Sequence, residues 1–360
     1  MRKILLWLVL GLVVAVGLAF WWLTRPLPVL RVMTWPGPYG RAQASALMRP
    51  YADSQRVDVR IAEYDGGLAG LRQAVAHHRY GGDVIDFELP DAVMACSAGL
   101  LEPIDRSKLP PGADGAPEMR DFVRGALGRC WVGSVVYSQA IVYGPGARPT
   151  RLEDFFDLAK FPGGRGLRRG SAKYNLEMAL LADGIKPDRV YPLLATDAGV
   201  TQALAKLDTI RQAIIWWNGA SEPAKMIRSG RVRFSTILNG NIYEAAIHHH
   251  PMGVLWDRQL YEFDVFGVPK GDPRRDRAMD FIRFATGSAP LAEVADWVPY
   301  GPARRSSLAL VGKNPDLGIA MRPFLPTEAA HFRTAFAVND VWWHAHDAEI
   351  EARWQNWLAH

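Results

Sequence analysis

Cysteine is scarce in this 360-residue chain, which has only two, Cys96 and Cys130. Their spacing excludes the Cys-x-x-Cys pattern of a zinc or redox site. In an exported protein an isolated pair tends to be oxidised. A disulfide here would close a loop of about 35 residues and stabilise the fold by roughly 3.5–4 kcal/mol in the chain-entropy treatment. Two buried free thiols are the alternative.

The signatures of common catalytic sites are also missing. The chain has no Gly-x-Ser-x-Gly, no His-Glu-x-x-His and no phosphate-binding loop, and no Cys and His in a recognisable catalytic pattern. Histidines occur together at His248–His250 and at His344 and His346, and imidazole is a metal ligand by type. The first run precedes a proline in a loop, and residues two apart on a helix do not share a face. We therefore expect neither an enzyme, nor a cofactor, nor a metal site.

Charge of one sign is not in large excess. The chain has 42 Lys and Arg against 37 Asp and Glu, a net charge of +5. No basic stripe with interleaved aromatic residues is present. This balance argues against a nucleic acid partner.

Long apolar runs are absent with one exception, the segment from Ile4 to Leu23, which follows Arg2 and Lys3. A run of this length can span a bilayer, and a cleaved signal peptide usually has a shorter apolar core. Residues 1–25 are therefore expected to be either a signal peptide or an uncleaved N-terminal anchor. In both cases the rest of the chain lies outside the cytoplasm.

What remains is an alternation of strand and helix patterns, which predicts a mixed α/β fold, and the length predicts two domains. The β-prone stretch 130–143 is long enough to cross from one domain to the other, and the stretch 261–269 is placed where the chain would cross back. Predicted strands cover 29–34, 57–63, 84–87, 130–143, 214–217, 234–238 and 261–269; predicted helices cover 41–54, 66–78, 91–99, 174–182, 192–207, 221–229, 276–286 and 340–358.

Five segments carry a family resemblance. They are DVIDFELPDAVMACSAGLLEPID, KFPGGRGLRRGSAKYNLEMALLADG, MIRSGRVRFSTILNGNIYEA, FGVPKGDPRRDRAMDFIRFATG and VPYGPARRSS, in this order along the chain. With them the chain resembles bacterial extracellular solute-binding proteins of ABC importers, in particular the spermidine/putrescine-binding group. The resemblance runs from about Val29 to the C-terminus.

The resemblance implies a type II periplasmic-binding-protein fold, with two α/β lobes joined by crossing strands. Lobe 1 is expected at 29–138 plus 265–312, and lobe 2 at 139–264 plus 313–360. A small ligand would bind in the cleft between the lobes, which agrees with the general rule for open α/β sheets. Lobe closure would follow ligand binding.

The implied function is that of a monomeric periplasmic receptor, tethered to the inner membrane if residues 1–25 are retained. It would capture a small cationic, polyamine-like solute and deliver it to an ABC permease in the inner membrane. A membrane-anchored sensor or scaffold with the same fold is one alternative, and a receptor for a ligand that is not an amine is another.

Candidate ligand residues in the first half follow two strand ends. Trp35 and Tyr39 come after the first strand, and an aromatic face suits a cation or an alkyl chain. A packing role under the Pro-Gly turn is the alternative. Glu88 and Asp91 follow the third strand. Asp91 is also a good helix N-cap.

The second half supplies five more candidates. Glu177, Asn239, Glu262 and Asp264 are compared with positions of the family, and Trp217 is a candidate because it lies at the end of a predicted strand. Asp264 resembles the amine-binding carboxylate of the family. A carboxylate suits this role because it can pair with a ligand ammonium. Alternation places one of the two neighbouring tryptophans, Trp216 or Trp217, in the core. The chain departs from the family at Leu238 and Glu262, where the family has aromatic residues. The acidic residues nevertheless favour a cationic ligand.

Overall fold

A single mixed sheet runs through the molecule. The computed structural model describes Gly17, residues 25–170 and residues 172–360. The strands of the described part are β1 (Val29–Thr34), β2 (Asp58–Glu63), β3 (Val84–Glu88), β4 (Val132–Tyr143), β5 (Arg165–Arg168), β6 (Ile214–Trp217), β7 (Phe234–Leu238), β8 (Gly253–Gly267), β9 (Gly301–Pro302) and β10 (Phe336–Ala337).

Helices alternate with these strands along the chain. A π-helical segment, Ala44–Met48, joins the helix Pro38–Gln43 to the helix Arg49–Gln55 without a break. The α-helices of the described part are α1 (Pro38–Gln43), α2 (Arg49–Gln55), α3 (Ala69–His77), α4 (Leu89–Ser97), α5 (Glu118–Asp121), α6 (Ala172–Ala182), α7 (Val190–Leu194), α8 (Asp197–Asp208), α9 (Glu222–Arg228), α10 (Asn239–Ile247), α11 (Arg275–Ala285), α12 (Ser288–Trp297), α13 (Ala329–Phe332) and α14 (Asp340–Ala359).

Two parallel groups of strands flank a central antiparallel pair. The sheet order is β2-β1-β3-β8-β4-β7-β5-β6. Strands β1, β2 and β3 are parallel on one side, and β5, β6 and β7 are parallel on the other. Between them, the 12-residue β4 and the 15-residue β8 run antiparallel along each other. The predicted mixed α/β architecture is confirmed, whereas the second long strand, β8, begins at Gly253, eight residues before the predicted strand 261–269.

Each side of the sheet has its own hydrophobic core. One core takes its buried residues from the stretches 30–136 and 261–303, and includes Phe87, Phe266 and Phe281. The other takes them from 141–260 and from 336–354, and includes Phe234 and the C-terminal Trp354. The cores divide within β4 and within β8, where the first core already includes Tyr261 and Phe263. We therefore propose that the lobe boundaries lie in these two strands, within a few residues of those predicted above, 29–138 plus 265–312 and 139–264 plus 313–360.

The predicted signal peptide or anchor, residues 1–25, lies outside the described residues except for Gly17 and Arg25. In the part of the chain that the structure describes, no helix is both long and apolar enough to cross a membrane.

The predicted pairing of the two cysteines is confirmed, because Cys96 and Cys130 form a disulfide across 34 residues. Cys96 lies in α4, and Cys130 leads into the crossing strand β4. The bond therefore ties the helix after β3 to the base of a crossing strand.

The predicted single helix 192–207 is wrong, since two helices, α7 and α8, cover this stretch. The cause lies at Thr196, which has an extended backbone and accepts a hydrogen bond from the Gly199 backbone N–H. A threonine at this position starts a new helix, because its side chain satisfies a backbone donor that the previous helix cannot.

Candidate functional site

A cavity of about 440 Å³ opens between the two sides of the sheet. Five of the nine predicted ligand residues line it: Trp35, Tyr39, Glu88, Asn239 and Asp264. The ends of β1, β3 and β7 and the C-terminal part of β8 meet at this cavity. The five residues therefore come from different parts of the chain. The further lining residues are Pro36, Pro38, Tyr137, Leu238, Gly240, Asn241, Tyr243, Glu244, Trp297, Val298, Pro299 and Tyr300.

Aromatic rings form much of the wall. Trp35 packs edge-on against Tyr64 with 5.0 Å between ring centroids. Tyr39 packs edge-on against Tyr300 at 5.3 Å. The Nε1 atom of Trp35 is buried and has no hydrogen-bond partner among the described residues. These rings offer faces and edges to an alkyl chain or a cation.

Gly40 fixes the position of Trp35. A Cβ atom at residue 40 would lie 2.1 Å from the Trp35 carbonyl oxygen. Only glycine therefore allows α1 to begin directly against the end of β1. This close approach brings Tyr39, the second residue of α1, and Trp35 to the same cavity wall.

Two carboxylates face each other at the cavity. Glu88 and Asp264 are direct partners in the antiparallel pairing of β3 with β8. Asp264 is only 6% exposed, and burial together with the charges of Asp86 and Glu88 raises its pKa well above the usual range. Glu88 reaches solvent, and desolvation and the charge of Asp91 raise its pKa too. Neither carboxylate has a salt bridge to the described residues, so the site carries acid that no side-chain cation neutralises at contact distance.

A buried polar network lies behind Asp264. Gln43 donates from Nε2 to the Tyr39 hydroxyl at 2.7 Å and to Asp86 Oδ2 at 2.9 Å. The Ser134 hydroxyl oxygen lies 2.9 Å from the Asp264 carbonyl oxygen and 3.3 Å from Asp86 Oδ1, so its single proton can be donated to either acceptor. Burial raises the pKa of Asp86 to about 7. The network holds Tyr39 between two carboxyl groups and fixes the backbone of Asp264.

The start of α10 lines a further part of the cavity. Asn239 is fully buried; its Oδ1 accepts from the Ser138 backbone N–H, and its Nδ2 donates to the Pro299 carbonyl oxygen. The first-turn residues Asn239, Gly240 and Asn241 all line the cavity. The first N–H groups of a helix have no partner within it and carry partial positive charge. The cavity is thus lined by the acidic pair Glu88 and Asp264 and, at the start of α10, by backbone donors that suit an anion; Glu244 of the same helix lines it too.

Glu262 does not line the cavity. Its carboxylate is 1% exposed and forms a salt bridge with Lys173 Nζ, and the Tyr174 hydroxyl donates to it as well. Lys173 Nζ also lies 2.9 Å from Asp340 Oδ1. Burial and the charge of Asp340 raise the pKa of Glu262, while Lys173 lowers it.

Three other predicted residues lie outside the cavity. Glu177 is fully buried and accepts hydrogen bonds from Tyr191 and the Trp343 indole, and burial raises its pKa to about 7. Trp217 is 1% exposed and belongs to a hydrophobic cluster of its own lobe. Asp91 accepts from the Tyr64 hydroxyl and the Gly67 backbone N–H, and it lies in the first turn of α4 rather than at the N-cap.

Sequence reasoning missed several lining residues, above all Tyr137, Trp297 and Tyr300. Tyr137 lies within the stretch predicted as a crossing strand, where a polar aromatic among valines marks the face toward the cleft. Tyr300 belongs to the VPYGP segment that carries the family resemblance. Both signals were present in the sequence, but only the fold shows that these residues meet Asp264.

A larger cavity of about 550 Å³ lies at the other end of α10, near His248–His250. It contains none of the nine predicted ligand residues, so we place the site at the smaller cavity. Among the described residues, no group of three or more His, Cys, Asp or Glu side chains is arranged to hold a metal ion.

Comparisons with known proteins bear on the site and the fold. The profile of the family described as "Bacterial extracellular solute-binding protein" matches residues 46–319. The gamma-aminobutyric acid-binding protein of Pseudomonas aeruginosa is 34% identical over 333 residues, which cover 92% of this chain and 91% of that protein.

Solved structures agree in their overall fold. A GABA receptor is 29% identical with a TM-score of 0.74, covering 91% of this chain and 97% of its own. The binding protein AgtB from A. tumefaciens R10, solved with agropinic acid, is 27% identical with a TM-score of 0.67, covering 93% of this chain and 100% of its own. The predicted type II periplasmic-binding-protein fold is confirmed by these neighbours.

Proposed function

Since the chain belongs to the bacterial extracellular solute-binding protein family, we propose that it is a receptor for a small ω-amino acid of the GABA kind. Membership makes it a periplasmic binding protein rather than an enzyme, and one that takes a small solute and works with an ABC transporter. The identity of the solute is the part that we propose here.

The observation that carries the proposal is the facing pair Glu88 and Asp264 in an aromatic cavity. Two acids this close repel each other, and burial adds to the cost of ionising Asp264. A ligand ammonium relieves both effects, because it supplies the missing positive charge and hydrogen-bond donors to the two carboxylates. Trp35 and Tyr39 add ring surfaces that suit an ammonium and its methylene groups.

The start of α10 favours a carboxylate on the same ligand. Backbone N–H groups at the start of α10 can donate to an anion, and the helix dipole supports this. Gly240 lines the cavity, and a Cβ atom there would lie 3.3 Å from the Tyr300 hydroxyl oxygen, so glycine lets Tyr300 pack against the start of α10. A molecule with an ammonium at one end and a carboxylate at the other can use both the acidic pair and these N–H groups. GABA, which the P. aeruginosa relative is named for, has this form.

A polyamine-like cation is the second candidate. It is favoured by the number of acids near the cleft, Glu88, Asp264, Glu177 and Glu262, as the sequence predicts. Two of these four, Glu177 and Glu262, already hold partners in lobe 2. We therefore rank a polyamine-like ligand below an ω-amino acid.

Ligand capture would work by closure of the two lobes about β4 and β8. These strands contribute Tyr137 and Asp264 to the cavity lining. A ligand that touches both sides binds the closed state more tightly, and this difference shifts the open–closed equilibrium. The closed, loaded receptor would then deliver its solute to an inner-membrane ABC permease.

A thermal-shift and calorimetry panel tests the proposal. The compounds are GABA, β-alanine, 5-aminovalerate, putrescine, spermidine, glutarate and glucose. We expect stabilisation by the ω-amino acids, strongest for a chain length that reaches both the acidic pair and the start of α10, and no response to glucose. A response to glutarate alone would exclude an ammonium ligand.

A further inference from the structure

Lys173 places an ammonium group on two buried acids. Its Nζ bonds to Glu262 and lies 2.9 Å from Asp340 Oδ1. The side chains of both acids are 1% exposed, whereas that of Lys173 is 19% exposed. The Tyr174 hydroxyl donates to the second oxygen of Glu262. The protein has therefore built an acidic site for an ammonium and fills it with its own side chain.

This site adjoins the ligand cavity. Glu262 and Asp264 are two residues apart on β8, so their side chains share a face, and their Cα atoms lie about 7 Å apart. Tyr137, which lines the cavity, is the direct partner of Glu262 across the strand pair. The charge of Lys173 also lowers the pKa of Glu88. Lys173 thus binds Glu262, which lies two residues along β8 from Asp264, one of the two acids proposed to bind the ligand ammonium.

The carboxyl groups around Lys173 outnumber its single positive charge. Glu177 contributes a third carboxyl group to the surroundings of Lys173, whose charge lowers the pKa of Glu177. The Oε2 atom of Glu177 and the Oδ2 atom of Asp340 are buried without a hydrogen-bond partner in the described part of the chain. If Lys173 were absent, Glu262 and Asp340 would offer a second ammonium site beside the first.

We propose that Lys173 determines specificity by excluding diamines. Its tethered ammonium occupies the second acidic site, so only one ammonium of a solute finds free carboxylates. A second ammonium would meet the charge of Lys173, whereas a carboxylate at the far end of the solute meets no such repulsion. This inference rests on the proposed function, since it assigns the selection between ligands of the same cleft.

The experiment compares Lys173→Ala with the wild type by calorimetry, with putrescine and GABA as titrants. Removal of Lys173 frees Glu262 and Asp340, so we expect putrescine affinity to rise by about tenfold or more, as charge-assisted hydrogen bonds are gained. The matched control Lys173→Arg keeps the charge and should bind putrescine as weakly as the wild type. The double variant Lys173→Ala/Asp340→Asn should lose most of the gain.

Lys173→Gln serves if the alanine variant does not fold, because it removes the charge and keeps most of the side-chain volume. A folded Ala or Gln variant that binds GABA but binds putrescine no better than the wild type overturns the inference and leaves the proposed function intact. Equal wild-type affinity for putrescine and GABA also overturns it. A wild type that binds no ammonium compound overturns the proposed function instead.

Discussion

Glu88 and Asp264 lie directly opposite each other on antiparallel strands, and both line the cavity between the two halves of the sheet. Asp86 lies behind Asp264 and raises its pKa further. Such an arrangement is unfavourable for the protein alone, since each carboxylate increases the cost of ionising the other. It becomes favourable when a cation binds between them, which links the stability of this region to its function.

Asp264→Asn is expected to stabilise the ligand-free protein at pH 8. The amide removes a buried charge and its repulsion with Asp86 and Glu88, while keeping the size of the side chain. Thermal unfolding should show a rise of a few degrees, at roughly 2–4 °C per kcal/mol. The exposed Asp58, which pairs with Arg60, offers the control Asp58→Asn, with little expected effect. A clear drop in the unfolding temperature of Asp264→Asn would contradict the view that the buried carboxyl group of Asp264 destabilises the ligand-free protein.

Glu177→Gln should change how stability depends on pH. Burial raises the pKa of Glu177 to about 7 in the folded state. The folded protein therefore holds a proton that the unfolded chain releases above pH 4.5, and stability falls as pH rises toward 7. The glutamine variant avoids this loss of about 3 kcal/mol. Urea unfolding at pH 5 and pH 8 should show a gain for the variant that is much larger at pH 8.

A gain for Glu177→Gln that is equal at the two pH values would contradict a raised pKa. The variant keeps an oxygen that can accept from Tyr191 and Trp343, so lost hydrogen bonds should not mask the effect.

Cys96→Ala/Cys130→Ala is expected to lower stability without changing the ligand site. Neither sulfur lines the cavity, and the disulfide acts by restricting the unfolded chain across its loop. The free energy of unfolding should fall by roughly 3–4 kcal/mol. Denaturant titration measures this loss, and calorimetry should find the same ligand affinity as in the wild type below the unfolding transition. A large loss of affinity in the folded variant would instead tie the disulfide to the cleft.

Gly40→Ala is expected to weaken ligand binding as well as stability. The added methyl group would lie 2.1 Å from the Trp35 carbonyl oxygen, so the turn that carries Trp35 must move. We expect a loss of about 1–3 kcal/mol in stability. Gly70→Ala is the matched control, because a Cβ there meets open space within α3 and should add up to about 1 kcal/mol. An unchanged ligand affinity in folded Gly40→Ala would show that Trp35 does not contact the ligand.

Local patterns were enough to predict much of the architecture. The strands at 29–34, 214–217 and 234–238 end where they were predicted, because short apolar runs bounded by Gly, Pro or Asn leave little choice. The break at Thr196 was not predicted, since a capping threonine within an apolar pattern looks like an ordinary helix residue.

The site was predicted less completely, because side-chain partners come from distant parts of the chain. Glu262 and Asp264 share one strand face, yet Lys173, 89 residues earlier, pairs with only the first of them. Alternation indicated that one of two tryptophans is buried, and the structure identifies it as Trp217. Tyr300 joins Tyr39 only because α12 returns to the first side of the sheet.

Titration of GABA into the purified full-length chain, beside Asp264→Asn and Glu88→Gln, tests the central claim most directly. The account predicts a saturable binding isotherm for the wild type. Each variant should lose about 10–100-fold in affinity, as expected for a charge-assisted contact. Binding of GABA that is equally tight in both variants would contradict the account, because the ammonium would then bind elsewhere than between these two carboxylates.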